Sequence, residues 1–184
     1  MKFTIYSDLH FGQISEILNS TVPSKGDIFL GDIFDIKNTS KKDITTQLLK
    51  QKIFINECKA VGADYVQGNH DLKGYLPLFV KIGNVLFTHG HLIFWDQATI
   101  DEWAAKKPNG VGFFRGITLA IQNLYTRGVW KPSEIEIDRA VKLARDFGCD
   151  TICFGHSHTK EIVDFERVGI RIVNLPRGKT EIEL

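Results

Sequence analysis

Long apolar segments and paired cysteines are both missing from this sequence of 184 residues. No apolar run approaches the roughly 20 residues that a helix needs to cross a bilayer, and the first residues show no signal-peptide pattern. The three cysteines, Cys58, Cys149 and Cys153, are odd in number and show neither CxxC spacing nor a neighbouring histidine pair. We therefore expect a soluble, cytoplasmic protein with reduced core cysteines, rather than a zinc or redox role for them.

An excess of charge of one sign is missing as well. The 23 basic and 22 acidic residues leave a formal net charge of +1. This balance argues against a histone-like or polybasic protein that binds DNA or anionic membranes without specificity. Low-complexity stretches, repeats and flexible linkers are also missing, and 43% of the residues are hydrophobic. We expect one domain that spans residues 1–184.

Strand and helix patterns alternate early in the chain, and strands dominate at its end. The turn signal Gly83-Asn84 predicts that the two strands beside it form an antiparallel hairpin. The complete set of predicted strands covers residues 2–7, 27–30, 63–67, 78–82, 84–88, 151–154, 161–165, 170–174 and 180–184. This order predicts an α/β fold in which two sheets form a sandwich that is covered by helices on the outside.

Two helical regions interrupt the strands. The first is an amphipathic helix over residues 41–61, whose apolar positions are mostly Ile44, Leu48, Leu49, Ile53 and Ile55. The second is an insert at about 92–140, and the capping-box pair Ser133 and Glu136 begins its last helix. An apolar stripe at helical spacing predicts either a helix packed on the core or a cap or dimer surface beside an active site. The stripe consists of Phe113, Phe114, Ile117, Ile121, Leu124 and Tyr125.

All six histidines lie in short polar turns that follow predicted strands and contain glycine. Loops at the carboxyl ends of strands converge in α/β folds, and Asp-x-His or His-x-His spacing points two side chains the same way. Imidazole, carboxylate and amide donors without thiolate suit Mn²⁺ best among catalytic ions, with Fe, Ni, Co or Zn as alternatives. The turns are Asp8-Leu9-His10, Gly31-Asp32-Ile33-Phe34-Asp35, Gly68-Asn69-His70-Asp71, Thr88-His89-Gly90-His91 and Gly155-His156-Ser157-His158.

These five blocks, in this order, resemble the signature of the calcineurin-like metallophosphoesterase superfamily. The resemblance implies an αββα sandwich and two divalent ions that are bridged by Asp32. It implies that one ion is held by Asp8, His10, Asp32 and His158, and the second by Asp32, Asn69, His89 and His156.

The resemblance also implies roles for residues next to the ligands. His70 would contact the phosphate and help to protonate the leaving oxygen, and Asp71 would orient His70. Asp35 and His91 would support the ligands from behind. For Asp35, Asp71 and His91, a loop hydrogen bond without direct catalytic effect is an equal alternative.

The function that these observations favour is a phosphodiesterase in which two ions hold a bridging hydroxide for in-line attack on a phosphate ester. The chain is also similar to UDP-diacylglucosamine pyrophosphatases in three features: the Asp-Leu-His block, the Gly-Asp-Ile-Phe-Asp block and the helical insert. The corresponding block of those enzymes resembles Gly-Asn-Arg-Asp, whereas this chain has Gly-Asn-His-Asp. A general phosphodiesterase is therefore preferred. A nuclease is a minor alternative, because no basic stripe with interleaved aromatics is present. A non-catalytic scaffold, similar to the retromer subunit, is a distant alternative because no predicted ligand is replaced.

Overall fold

Two sheets and three helices make up the described part of the chain. The computed structural model describes residues 1–10, 21–36, 39, 42–71, 76–95, 98 and 128–184. The strands are β1 Lys2–Ser7, β2 Ile28–Phe29, β3 Asp64–Tyr65, β4 Phe79–Ile82, β5 Val85–Thr88, β6 Thr151–Phe154, β7 Val163–Arg167, β8 Ile170–Asn174 and β9 Gly178–Glu183. The helices are α1 Ile44–Val61, α2 His91–Phe94 and α3 Glu134–Asp146.

The first sheet has the strand order β3-β2-β1-β9. Its three strand pairs differ in direction. Strands β1, β2 and β3 are parallel, whereas β9 runs antiparallel to β1. The strands predicted at 27–30 and 63–67 are shorter in the structure, with only two paired residues in each. Strands β2 and β3 both end after two residues. The turns that follow them carry several of the predicted site residues.

The second sheet has the strand order β4-β5-β6-β8-β7. The predicted hairpin at Gly83-Asn84 is confirmed, because Ile82 pairs with Val85 in the antiparallel register of β4 and β5. Strands β5, β6 and β8 are parallel, and β7 pairs antiparallel with β8. The parallel strands β5 and β6 are buried at every residue, as expected for strands covered on both faces.

The two sheets pack face to face, so the predicted sandwich is confirmed. Phe3 of β1 and Phe87 of β5 meet across the interface with ring centroids 5.2 Å apart. Helix α1 covers the outer face of the first sheet through a cluster that includes Phe29 and Phe54. Helix α3 covers the outer face of the second sheet through a cluster that includes Ile137 and Ile152.

The predicted apolar face of α1 is confirmed only in part. Ile44, Leu48 and Ile55 are half buried and pack against the cluster beneath the helix. Leu49 and Ile53 are 58% and 49% exposed, although the sequence pattern assigned them to the core. The helix instead buries the side chains Gln47, Gln51, Phe54 and Cys58. Glutamine is tolerated inside because the Gln51 amide donates a hydrogen bond to a buried carboxylate, described below.

The insert is described only at its two ends. Helix α3 has the predicted capping box, in which Glu136 N–H donates to Ser133 Oγ at 3.3 Å and Ser133 N–H donates to Glu136 Oε2 at 2.8 Å. The apolar stripe at 113–125 lies outside the described residues, and its role as a core helix, cap or dimer surface stays a prediction. Within the described ranges, no helix combines the length and the apolar character needed to cross a membrane.

Candidate metal centre

The predicted site residues meet at the carboxyl ends of the parallel strands. Asp8 and His10 follow β1, Asp32 follows β2, and Asn69 and His70 follow β3. From the second sheet, His89 and His91 follow β5, and His156 and His158 follow β6. The sandwich therefore brings turns from both sheets to one edge, as the sequence predicts.

Five of these residues have an unusual backbone conformation. The φ angles of Asp8, His10, Asp32, His156 and His158 lie between 49° and 70°. Only one other non-glycine residue in the described ranges, Val168, has a positive φ. Left-handed backbone at ordinary residues costs about 1–3 kcal/mol each and persists where surrounding contacts impose it. Here the hydrogen bonds from Asp8 N to Gly31 O and from His10 N to Asp32 O join the two turns.

Two glycines allow the turns to approach this closely. A Cβ atom at Gly68 would collide with the backbone nitrogen and the carboxylate of Asp32. A Cβ atom at Gly155 would collide with the Ser7 hydroxyl, next to Asp8. Glycine is required at both positions because a ligand-bearing turn occupies the space of any side chain.

Asp8 and Asp32 each have one carboxylate oxygen fixed by hydrogen-bond donors and one directed at histidines. His156 N–H donates to Asp8 Oδ2 at 2.9 Å, and the Ser7 hydroxyl donates to the same oxygen. The other oxygen, Asp8 Oδ1, lies 3.2 Å from His158 Nε2 and 4.0 Å from His89 Nε2. It is fully buried, and within the described residues it has no aligned hydrogen bond.

Asp32 repeats this arrangement. His70 N–H donates to Asp32 Oδ1 at 2.6 Å. Asp32 Oδ2 faces three imidazoles, at 3.3 Å from His89 Nε2 and at 3.9 Å from both His10 Nε2 and His70 Nε2. The two carboxylates therefore present one oxygen each to a ring of imidazole nitrogens.

Three groups of side chains have donor atoms close enough together to hold an ion, with all donor atoms of a group within 4.8 Å of one another. The groups overlap at Asp8, His10 and Asp32. They are Asp8, Asp32, His89 and His156; Asp8, His10 and His158; and His10, Asp32 and His70. Asn69 joins the first group, because its Oδ1 lies 2.8 Å from His89 Nε2.

The donor atoms fit a divalent cation. The nitrogens of His89 and His156 are 2.9 Å apart, and those of His10 and His158 are 3.3 Å apart. His89 Nδ1–H donates to Leu30 O at 2.7 Å, which turns the Nε2 lone pair toward the cluster. Converging nitrogen lone pairs and an oxygen without an aligned donor are satisfied together by one positive ion.

The pKa values of His10 and His156 are lowered, whereas that of His89 is raised. Burial lowers the pKa of His10 to about 4 against the opposing effect of Asp32. Burial and the neighbouring His89 lower the pKa of His156 well below its usual value. These two rings are neutral at pH 7 and able to bind a metal. Burial also acts to lower the pKa of His89, but Asp32 and Asp8 outweigh it and raise the pKa to about 9. A divalent ion at the cluster would compete with that proton for the same carboxylates.

The predicted partner of His70 is wrong. The structure pairs His70 Nδ1 with Asp35 Oδ1 at 2.6 Å, so Asp35 has the orienting role that was assigned to Asp71. Burial acts to lower the pKa of His70, but Asp32 and Asp35 outweigh it and raise the pKa. The His70 ring therefore holds its proton more strongly than a free imidazole does.

Asp71 instead connects the turns of the first sheet. Its carboxylate accepts hydrogen bonds at 2.9 Å from Asp32 N, Gly68 N, Tyr65 Oη and Gln51 Nε2. Burial, assisted by the charge of Asp32, raises the pKa of Asp71 to about 7. The carboxylate thus fixes the backbone of two site turns and joins them to helix α1.

Several residues outside the predicted ligand set also contribute to the site. Gln51 of α1 and Tyr65 are joined to the site through the Asp71 carboxylate. Arg177 Nη2 donates to Leu9 O, between Asp8 and His10. Ser157 Oγ donates to Asn174 Oδ1 at 2.8 Å, which fixes the turn between two histidines. His91 differs from its predicted turn position, because it is the first residue of α2. Its ring lies 5.7 Å from that of His89, and its supporting role stays a prediction.

A buried cluster of imidazoles and carboxylates that could hold metal ions lies at the edge of the two-sheet sandwich. The chain belongs to the calcineurin-like phosphoesterase family, whose model matches residues 1–160. The family resemblance inferred from the five blocks is therefore confirmed. No curated protein matches the sequence.

Three solved structures illustrate the similarity. A predicted phosphoesterase from Streptococcus pneumoniae TIGR4 is 17% identical, with a TM-score of 0.43 over 100% of this chain and 84% of that chain. Vps29 of Entamoeba histolytica complexed with zinc is 16% identical, with a TM-score of 0.42. The match covers 96% of this chain and 74% of that chain. A cold-active protein-tyrosine phosphatase from Shewanella is 16% identical, with a TM-score of 0.47 over 95% and 70%.

Proposed function

We propose that the protein is a phosphodiesterase that uses two divalent ions held by the histidine and aspartate cluster. The observation that carries the proposal is the overlap of the candidate ligand groups. Asp8 and Asp32 each belong to two groups, and each presents one oxygen to imidazoles on more than one side. One ion has too few coordination positions for all of these donors, whereas two neighbouring ions can bind most of them.

The ligands divide between two positions. Asp8, His10, Asp32 and His158 would hold one ion, and Asp32, Asn69, His89 and His156 would hold the other, with Asp32 shared. The distances from Asp32 Oδ2 to His89 and to His10, 3.3 Å and 3.9 Å, support this sharing. The mixed nitrogen and oxygen set favours Mn²⁺, with Fe, Ni, Co or Zn as alternatives.

Bound ions of this kind supply hydroxide near neutral pH and offset the negative charge that develops on the phosphoryl oxygens. The protein itself supplies orientation and a proton. Ser7 and the backbone N–H groups of His70 and His156 fix the two carboxylates before any substrate arrives. His70 gives a proton to the leaving oxygen, and Asp35 holds its ring in place.

The test is a panel of metals against phosphate esters. With Mn²⁺, the protein is expected to hydrolyse bis-p-nitrophenyl phosphate faster than p-nitrophenyl phosphate, and a chelator should abolish both reactions. The variant Asp8→Asn should lose activity, whereas Asp138→Asn, an exposed carboxylate on α3, is the matched control. A preference for the monoester would contradict the diesterase assignment. No turnover with any of Mn²⁺, Fe²⁺, Ni²⁺, Co²⁺ or Zn²⁺ would contradict an enzyme and favour a scaffold.

A further inference from the structure

A buried glutamine and a buried tyrosine lie behind the candidate metal centre and donate to the same carboxylate. Gln51 of helix α1 and Tyr65 of β3 are 1% and 5% exposed. Gln51 Nε2 and Tyr65 Oη each donate to Asp71 Oδ1 at 2.9 Å. Gln51 Nε2 also donates to Tyr65 Oη at 3.4 Å, so the three side chains form one connected group. None of the three is among the predicted metal ligands.

The two oxygens of the Asp71 carboxylate have different partners. Oδ1 accepts from the two side chains, whereas Oδ2 accepts from the backbone N–H groups of Asp32 and Gly68, each at 2.9 Å. Oδ1 also accepts a longer hydrogen bond of 3.4 Å from Phe34 N. Among the described residues, only that longer bond would remain on Oδ1 if both side-chain donors were removed. The two side chains therefore fix the rotation of the carboxylate and with it the direction of Oδ2.

The backbone of Asp32 depends on this acceptor. Asp32 has a φ of 50°, a left-handed conformation that ordinary residues adopt only where surrounding contacts impose it. The hydrogen bond from Asp32 N–H to Asp71 is one of those contacts, and the same oxygen holds the N–H of Gly68. The turns that carry Asp32 and Gly68 thus keep their relative position while Asp71 Oδ2 stays in place.

The Asp32 turn in turn directs the Asp32 carboxylate at the imidazoles. Asp32 Oδ2 lies 3.3 Å from His89 Nε2 and 3.9 Å from His10 Nε2, which belong to the two proposed ion positions. A shift of the turn would change the distance from this oxygen to the nitrogen donors of both positions. Residues that orient a ligand from behind commonly change metal affinity about 10–100-fold when they are altered.

We propose that Gln51 and Tyr65 are positioning residues for the bridging ligand Asp32, that they act through Asp71, and that they set the affinity of both metal positions. This assignment rests on the two-ion site proposed above. Neither side chain is a candidate ligand, so both act by orientation alone. Helix α1 thereby takes part in metal binding, although none of its residues is in a candidate ligand group.

The experiment measures Mn²⁺ binding to the metal-free full chain by isothermal titration calorimetry. Gln51→Leu removes one donor with little change in volume, and Tyr65→Phe removes only the hydroxyl. Each variant should bind both Mn²⁺ equivalents about tenfold more weakly, the lower end of the usual effect of residues behind a ligand. Excess Mn²⁺ should restore most of the phosphodiesterase rate in both variants, because the ligands themselves are intact.

A second glutamine on the same face of α1 provides the matched control. Gln47 lies one helical turn before Gln51 and is 8% exposed, and it is not among the donors to Asp71 in the described part of the chain. Gln47→Leu should therefore leave the Mn²⁺ affinity unchanged. Val141→Ala, on the buried side of α3, controls for a general loss of stability. Urea unfolding of every variant measures that loss.

A double variant tests the route through Asp71. Asp71→Asn removes the charge and one of the two acceptor oxygens. The combined loss of Mn²⁺ affinity in Gln51→Leu with Asp71→Asn should be smaller than the product of the two single losses, because both changes affect the same contact. A combined loss equal to that product would overturn the route through Asp71.

The remaining outcomes are distinct. Unchanged Mn²⁺ affinity in Gln51→Leu or in Tyr65→Phe would overturn the role of that residue. An equal loss of affinity in Gln47→Leu or Val141→Ala would also overturn the proposal, because the loss would then follow from stability in general. If the natural protein binds Mn²⁺ but hydrolyses no phosphate ester, the proposed phosphodiesterase function fails. The comparison of Mn²⁺ affinities still decides the roles of Gln51 and Tyr65 in that case.

Discussion

Asp32 is the residue on which both proposed metal positions depend. We expect Asp32→Asn to weaken both ions together, because the amide removes the negative charge that offsets the repulsion between two cations. The bound metal, measured by elemental analysis after dialysis, should fall for both equivalents, and activity should fall with it. Asp138→Asn is the control for a carboxylate lost from the surface. Two tightly bound ions and a near-normal rate in Asp32→Asn would refute the bridging role.

His70 is expected to act on the substrate and not on the metal. His70→Ala should keep both ions and lose about 10²–10⁴ in kcat, since that is the usual contribution of a general acid. The loss should be smallest for p-nitrophenyl esters, whose leaving group needs no proton, and largest for alkyl esters. A loss of metal would make His70 a ligand, and an equal loss for all leaving groups would indicate phosphate binding instead.

Asp35 provides a further check on that assignment. Because its carboxylate accepts from His70 Nδ1 at 2.6 Å, Asp35→Asn removes the charge that favours protonated His70. The variant should lose activity in the same leaving-group-dependent way as His70→Ala, but by a smaller factor. The double variant should be no worse than His70→Ala alone, because the two residues act as one unit.

At the scale of elements, helix α1 gives a direct comparison of sequence pattern and structure. Phe54 is 4% exposed and contacts Phe29 and Tyr65, whereas Leu49 is 58% exposed. Phe54→Ala should lower the free energy of unfolding by about 3–5 kcal/mol, and Leu49→Ala by less than about 0.5 kcal/mol. Urea unfolding followed by circular dichroism measures both. A loss at Leu49 that equals the loss at Phe54 would mean that the exposed face is covered.

The sequence pattern did not predict the buried glutamines of α1, because hydrophobic periodicity considers only apolar residues. It ignores the hydrogen-bond partners that polar residues find in the fold. The buried side of the helix includes two polar amide side chains. Its residues are Gln47, Gln51, Phe54 and Cys58. Gln51 is buried because Asp71 needs a donor at that position, and no local pattern reveals that requirement. In contrast, the capping box at Ser133 is a local interaction over three residues, and it was predictable.

At the scale of the whole molecule, metal binding should stabilise the fold. The cluster joins turns from both sheets, so an ion bound there favours the folded state over the unfolded one. At a Mn²⁺ concentration of 100 times Kd, the gain is about 2.7 kcal/mol, or roughly 5–10 °C in Tm. Thermal unfolding in a Mn²⁺ series should show this rise for the natural protein, and Asp32→Asn should lose most of it. A Tm that is independent of Mn²⁺ would contradict a site shared by both sheets.

The sequence by itself determined which main segments form strands, the hairpin at Gly83-Asn84 and the five turns that carry the candidate metal ligands. These features were readable because they are local: alternation, turn residues and ligand spacing extend over a few positions. The spacing in Asp-x-His and His-x-His identified the candidate ligands before their neighbours were known.

Only the tertiary structure decided which partner each of these groups has. In the structure, β8 lies between β6 and β7, and His70 is hydrogen-bonded to Asp35. The Asp71 carboxylate accepts hydrogen bonds from the backbone of Asp32 and Gly68. The His70–Asp35 and Asp32–Asp71 contacts join residues that are 35 and 39 positions apart in the chain. The geometry of these contacts depends on how the two sheets pack and on the direction of the left-handed turns. Neither can be predicted from local patterns in a single sequence.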